Sequence, residues 1–144
     1  AGRDRSSFEV SGPLFVVTGT NEQERAAAEA ATKQQIAFYG STPAYRPVFD
    51  IHGLSDLGLK LTDMSKQGAW NKMASEVPDD VLDLFVARST YEGLPDAIAK
   101  RYGGIVDTVT IEFASGTPAS VRRDVIDAVH KIPGKFQDFK RQVA

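Results

Sequence analysis

Phe8–Gly19, FEVSGPLFVVTG, ends in a short apolar run that stops at a glycine. Within it, Leu14–Val17 reads as a strand buried on both faces, as in a parallel sheet. Pro13 cannot donate to a ladder, so it belongs at the start of that strand. Thr20 or Asn21 then caps a helix whose first turn carries Glu22 and Glu24. The helix is expected to run to about Tyr39 and to be broken by Gly40. Ala26, Ala27, Ala30 and Ala31 form a small-residue face, which lets a helix lie close to a sheet. A buried strand followed by such a helix is the opening of a βα unit.

The rest of the chain repeats that alternation after an interruption. Leu84–Ala87 is a second short strand. Ser89 or Thr90 caps the helix that follows, with Leu94, Ile98 and Tyr102 on one face. Pro95 is awkward there and moves the expected helix start toward Leu94. Gly103-Gly104 stops it. Ile105–Phe113, IVDTVTIEF, is the clearest strand: β-branched, aromatic-ended and partly alternating. Pro118 opens a helix with Val121, Val125, Ile126 and Val129 facing inward, and Pro133-Gly134 ends it. Phe136–Ala144 reads as a charged amphipathic tail.

Between the first two strands, about residues 40–83, lies a helical excursion. Thr42-Pro43 resembles a cap with proline in the first turn, and that helix runs to His52 with Gly53 as terminator. Ser55 caps a third helix with Leu57, Leu61 and Met64 on its apolar face, ended by Gly68. Trp70 and Met73 mark another short helix, and Pro78 opens one more through Val81 and Leu82. The order is β–α–(excursion)–β–α–β–α. Strands alternating with helices imply parallel βαβ units, hence an α/β class, in one domain over residues 1–144.

Composition narrows the function classes. With 42% hydrophobic and 25% charged residues the chain reads as soluble and globular. A formal charge of −2, with Lys and Arg spread along the chain, does not point to nucleic acid. No apolar run is long enough to span a bilayer. The absence of cysteine removes disulfides, cysteine nucleophiles and thiolate metal sites, and fits a cytoplasmic protein. Ala1–Glu9 is charged and has no apolar signal core. A first residue that is Ala, not Met, implies a chain processed or cut from something longer.

Three stretches, in this order, resemble the luciferase-like monooxygenase family. They are FYGSTPAYRPVFDIHG (Phe38–Gly53), LTDMSKQGAWNKM (Leu61–Met73), and DDVLDLFVARST (Asp79–Thr90) followed by RYGGIVDTVT (Arg101–Thr110). The resemblance covers about residues 1–113. It implies a TIM-barrel-like fold with a helical insertion, of which this chain is the C-terminal part. It also implies hydride transfer between reduced coenzyme F420 or FMN and a small organic substrate. A full barrel needs eight strands and about 250 residues, so this chain matches only the last three strands. The cofactor-binding half would lie upstream, and the chain alone is expected to bind no cofactor tightly. Its expected partner is the N-terminal half of the barrel or a second copy of itself. The alternative is a non-catalytic binding or assembly module built on the same fold. Where the family has Gly-Thr-Pro before its penultimate helix, this chain has Ser89-Thr90-Tyr91, which alters the turn.

Barrel enzymes work at the C-terminal ends of their strands. Arg88, Ser89 and Thr90 stand at such an end, before an expected helix N-terminus that favours anions. They are the candidate contacts to a phosphate or acidic tail of the cofactor, against the reading of an ordinary cap beside a solvated arginine. Tyr39, Ser41, Tyr45 and Arg46 cluster around the Gly-Ser-Thr-Pro turn as a candidate substrate-pocket lip. The competing reading packs both tyrosines under the excursion and leaves Arg46 at the surface. His52 and His130 read as helix C-terminal caps, where the dipole favours their cationic form. Asp79 and Asp80 read as first-turn acids, not as metal ligands. Gly103-Gly104 precedes a strand and so is no dinucleotide fingerprint.

Overall fold

In the computed structural model, which describes residues 2–137, the opening strand is split in two. β1 (Ser11–Pro13) and β2 (Phe15–Val17) are separated by Leu14 alone. Pro13 therefore ends β1 instead of starting a single strand; it has no N–H to carry a ladder onward. β1 pairs in parallel with β4 (Thr108–Thr110), Ser11 opposite Thr108. β2 pairs in parallel with β3 (Val86–Arg88), Phe15 opposite Val86 and Val17 opposite Arg88. Residues 11–17 are thus the central strand, joined to β4 along their first part and to β3 along their last.

The fold is mixed α/β with short parallel strands and mostly helices. The described residues form no closed barrel: β4 lies beside β1, not beside β3, so the pairing does not follow chain order. Leu84 and Phe85, expected in a strand, end helix α4 (Asp79–Phe85) instead, and β3 is shifted toward Arg88. Of IVDTVTIEF only Thr108–Thr110 is strand: the N–H groups of Ile105 and Val106 bond back to Tyr102 O, and the ladder with β1 ends at Thr110.

Asn21 caps α1 (Glu22–Ser41): its Oδ1 accepts from Glu24 N at 2.8 Å, while Glu24 Oε2 accepts from Thr20 N at 2.7 Å. This reciprocal arrangement is a capping box shifted by one residue. Gly40 does not break the helix. It is buried within the last turn, and a Cβ there would lie 2.3 Å from Phe49 Cζ and 2.9 Å from Leu61 Cδ1. The glycine is a packing requirement, not a stop signal. The chain leaves α1 through a 3₁₀ turn at Pro43–Tyr45 and α2 (Arg46–Asp50), then turns at Gly53 with φ +70°. α3 (Ser55–Lys66) follows; Ser55 does not cap it but donates to Asp50. A 3₁₀ segment, Trp70–Glu76, leads to α4.

Alternation along β2 and β3 feeds two cores. Val17 and Val86 enter one with Ile36, Phe49, Leu61, Met73 and Leu82, the core of α1 and the excursion. Val16 and Ala87 enter the other with Leu94 and Ile98 of α5 (Leu94–Tyr102) and Val125 of α6 (Ala119–Val129). Helices therefore cover both faces of the parallel ladder, as such sheets require. Ile126, expected to face inward, is 40% exposed; Val121 and Val129 pack against the core with Val125. The alanine face of α1 is also not where expected. Ala26, Ala27, Ala30 and Ala31 are exposed, and the helix packs through Thr32, Ile36 and Ala37. The tail reading beyond Gln137 lies outside the described residues.

Asp107 ties the ends of the structure together. Its carboxylate accepts from Val10 N, Lys135 N and Phe136 N, each at 2.8 Å, and from Arg5 at 2.6 Å. Burial opposes its ionisation, but the bonds from Val10, Phe136, Arg5 and Lys135 outweigh it and hold the carboxyl well below the usual range.

Candidate functional site

β1–β4 pairing stops at Pro13 and Thr110, and beyond that point the two segments no longer pair. The space they leave is a groove of about 720 Å³. Leu14, Phe15 and Val16 form its floor, so the groove wraps the edge of β2 that no strand pairs with among the described residues. Ala27, Ala31 and Gln35 of α1 form one wall, and Glu112, Phe113 and Ala114 the other. Tyr39 and Tyr45 stand at one end, and Thr18 and Glu24 at the other.

The rings form a connected strip. Tyr39 and Tyr45 meet edge to face at 4.9 Å between centroids; Tyr39 also contacts Phe15 at 6.0 Å and Phe38 at 5.7 Å. Phe38 in turn reaches Trp70 at 6.1 Å. These separations suit offset or edge-to-face aromatic contact. Phe38, Tyr39, Tyr45 and Trp70 are all exposed. The charged side chains lining the groove, among the described residues, are the carboxylates Glu24 and Glu112; no Lys or Arg lines it. Chemically the groove favours apolar, planar, uncharged or cationic groups over anions. Thr18 Oγ1 is buried without a hydrogen-bond partner where the groove meets the end of β2.

The four residues of the expected pocket lip separate into two pairs. Tyr39 and Tyr45 line the groove. Ser41 is buried and its hydroxyl donates to Phe38 O at 2.7 Å, closing the last turn of α1. Arg46 points away into α3, donating to Thr62 Oγ1 at 2.9 Å, and its buried Nε has no partner. The missing Cβ of Gly58 makes room for that guanidinium, 3.2 Å from where it would stand. The competing surface reading of Arg46 therefore also fails: the side chain is a structural clamp between α2 and α3.

Arg88, Ser89 and Thr90 lie elsewhere, in a smaller recess of about 460 Å³ with Glu22, Arg25 and Glu29 of α1. They do not abut the N-terminus of α5; the helix start that shares their recess is that of α1, at Glu22 and Arg25. α5 begins only at Leu94, after a turn through Tyr91–Gly93, with Pro95 in its first turn. Proline and the absent side chain of Gly93, against which Ser89 Oγ rests, set that later start. Arg88 is engaged by Asp83 at 3.2 Å and Glu29 at 3.7 Å. An anion in this recess competes with two carboxylates for the same guanidinium. His52 contacts Phe85 edge to face at 5.6 Å and lines neither cleft. Asp79 pairs with Lys33, whose hydrogen bond lowers the aspartate's pKa. Among the described residues no group of His, Asp or Glu has the arrangement of a metal site.

Phe15, Gln35 and Phe113 were not singled out by sequence. The signal for Phe113 is an aromatic closing IVDTVTIEF and for Phe15 an aromatic inside an apolar run, both equally suited to core packing, and Gln35 carries none.

No family model matches the chain, and no solved structure matches it. The uncharacterized proteins Rv1360 of Mycobacterium tuberculosis and Mb1395 of Mycobacterium bovis are each 40% identical to it over 141 residues. The match takes in 98% of this chain but 38% of theirs, so the chain spans well under half the length of these relatives. No helix among the described residues is long and apolar enough to cross a membrane.

Proposed function

We propose that this chain is one part of an oxidoreductase of the luciferase-like class, acting on a small organic substrate with coenzyme F420 or FMN. The observation that carries this reading is the aromatic groove at the diverging strands. It is floored by Phe15 and ended by Tyr39 and Tyr45 from the YGSTPAYRP segment that bears the resemblance. In this reading the groove contributes one wall of a site for a planar ring or an apolar substrate. The cofactor carries the redox chemistry; these residues orient and enclose it. In the whole protein the strands belong to a larger parallel sheet whose other members come from the rest of the polypeptide.

A second reading has its own support. The aromatic groove carries two carboxylates and no basic residue, so it offers no counter-charge to a phosphate, and Arg88 in the smaller recess is already engaged by Glu29 and Asp83. That favours a non-catalytic binding or assembly module. Purifying the natural polypeptide that carries this sequence separates the two. The oxidoreductase reading expects an intact mass well above 15.6 kDa and a bound flavin or deazaflavin in the absorbance spectrum. A protein of that mass without chromophore, and without saturable binding of either cofactor, overturns it in favour of the module.

A further inference from the structure

We propose that the open edge of β2 receives a parallel strand, and the exposed alanine face of α1 a helix, both from one βα unit of a longer polypeptide. The inference rests on the reading of this chain as part of a larger protein, not on the redox chemistry. The edge of Phe15–Val17 opposite β3 has no strand partner among the described residues, and it opens into the groove. Phe15, Val16 and Val17 include no charge or proline of the kind that blunts a free edge. Thr18 Oγ1, one residue on, is buried and lacks a partner, so an incoming backbone supplies what it lacks.

The neighbouring wall matches that occupant. Ala27 and Ala31 are exposed on this wall of a 20-residue helix, and small side chains let a second helix approach closely. The β1–β4 ladder that partly occupies the same side of the central strand is weak. It is formed by Ser-Gly-Pro, and none of its six residues is buried. Both existing ladders are parallel, which sets the direction of the added strand. The carboxylates of Glu24 and Glu112 at the rim call for neutral or basic side chains on the occupant. The greater part of the relatives' length lies outside the match, ample for such a unit.

The test replaces the matched 141 residues of the Mycobacterium tuberculosis relative with this chain. Amide exchange at Val16 is then compared between the chimera and the isolated chain. Pairing of the edge slows that exchange by ~100-fold or more in the chimera. Ala27→Trp and Ala31→Trp, at exposed positions, lower the chimera's melting temperature and leave the isolated chain's unchanged. Equal exchange at Val16 in both proteins, equal effects of the tryptophans, or a chimera that does not fold overturns the proposal. So does a micromolar dimer of the isolated chain that itself protects Val16, since the occupant is then a second copy. A protected edge without bound flavin or deazaflavin keeps this inference and removes the redox reading; bound chromophore with an unprotected edge does the reverse.

Discussion

Asp107 is the residue on which most of the irregular structure depends. A side chain that is 7% exposed holds three backbone N–H groups and Arg5, joining residues 5–10 to residues 135–136 across the start of β4. Asp107→Asn removes the charge and turns one acceptor into a donor facing N–H groups. It should lower the melting temperature by several degrees, with the loss greatest in hydrogen exchange of β1 and β4. The pH dependence follows from the lowered pKa. An unfolded aspartate titrates near about 3.9, so the stabilisation is complete above that value. It is lost as the pH falls below it toward the depressed folded value. Acid titration should show wild type losing stability below about pH 4 more steeply than Asp107→Asn; parallel curves would remove Asp107 from that role. Arg88 behaves differently. Its two ion pairs are partly solvated, so Arg88→Ala should cost at most about 1 kcal/mol of stability. In the whole protein, an anion held there would lose on the order of 1.5–3 kcal/mol, tenfold or more in affinity. An unchanged KM and cofactor affinity would return Arg88 to a purely local role.

Elements were readable where local chemistry and tertiary packing agree. Asn21, Gly53, Gly68, Pro78 and Pro118 punctuate the chain close to where their backbone preferences put them, and Leu94 and Ile98 face inward at the expected spacing. Gly40 shows where the agreement ends. Locally it is a helix breaker; in the fold its missing side chain admits the Phe49 ring, which only the turn through residues 43–50 brings back against the helix. The predicted consequence is specific. Gly40→Ala gains about 1 kcal/mol of helix propensity but overpacks the core at a cost of about 1–3 kcal/mol. The variant should be less stable in urea, and Phe49→Leu should rescue part of the loss in a double-mutant cycle. A more stable Gly40→Ala would show that Phe49 moves aside freely. The candidate site was legible only as far as its tyrosines. Arg46 and Ser41 are adjacent in sequence to Tyr45 and the Gly-Ser turn, yet α3 draws the arginine away and helix back-bonding claims the serine. The strand lengths differ for a similar reason: IVDTVTIEF has strand composition throughout, but its ladder with β1 covers only Thr108–Thr110.

At the scale of the molecule, two cores of unequal size share a sheet with ladders only three residues long. Among the described residues, the first, under α1 and the excursion, holds ten buried residues including Leu61, Met73 and Leu82; the second, under α5 and α6, holds five. Burial contributes about 25 cal/mol per Å² of apolar surface, so the larger core carries more of a net stability that for a domain is only about 5–15 kcal/mol. Among the described residues the links between them include the β2–β3 ladder, the Tyr102 hydroxyl donating to Phe85 O at 3.1 Å and Phe15 O at 3.5 Å, and Arg101 donating to Asp83 O at 3.1 Å. Local opening is expected to follow that division. Amides of α6 should exchange at a lower free energy than those of α1 and α3, and Val125→Ala should lower it further without altering exchange in α1. Leu61→Ala, at a fully buried site, should cost about 2–5 kcal/mol and move the main unfolding transition, because β2 and β3 lose the face that the larger core supports. Native-state hydrogen exchange on wild type and both variants decides the matter. If α6 and α1 exchange at one free energy in all three proteins, the sheet couples the two cores fully, and three-residue ladders are sufficient to make them a single cooperative unit.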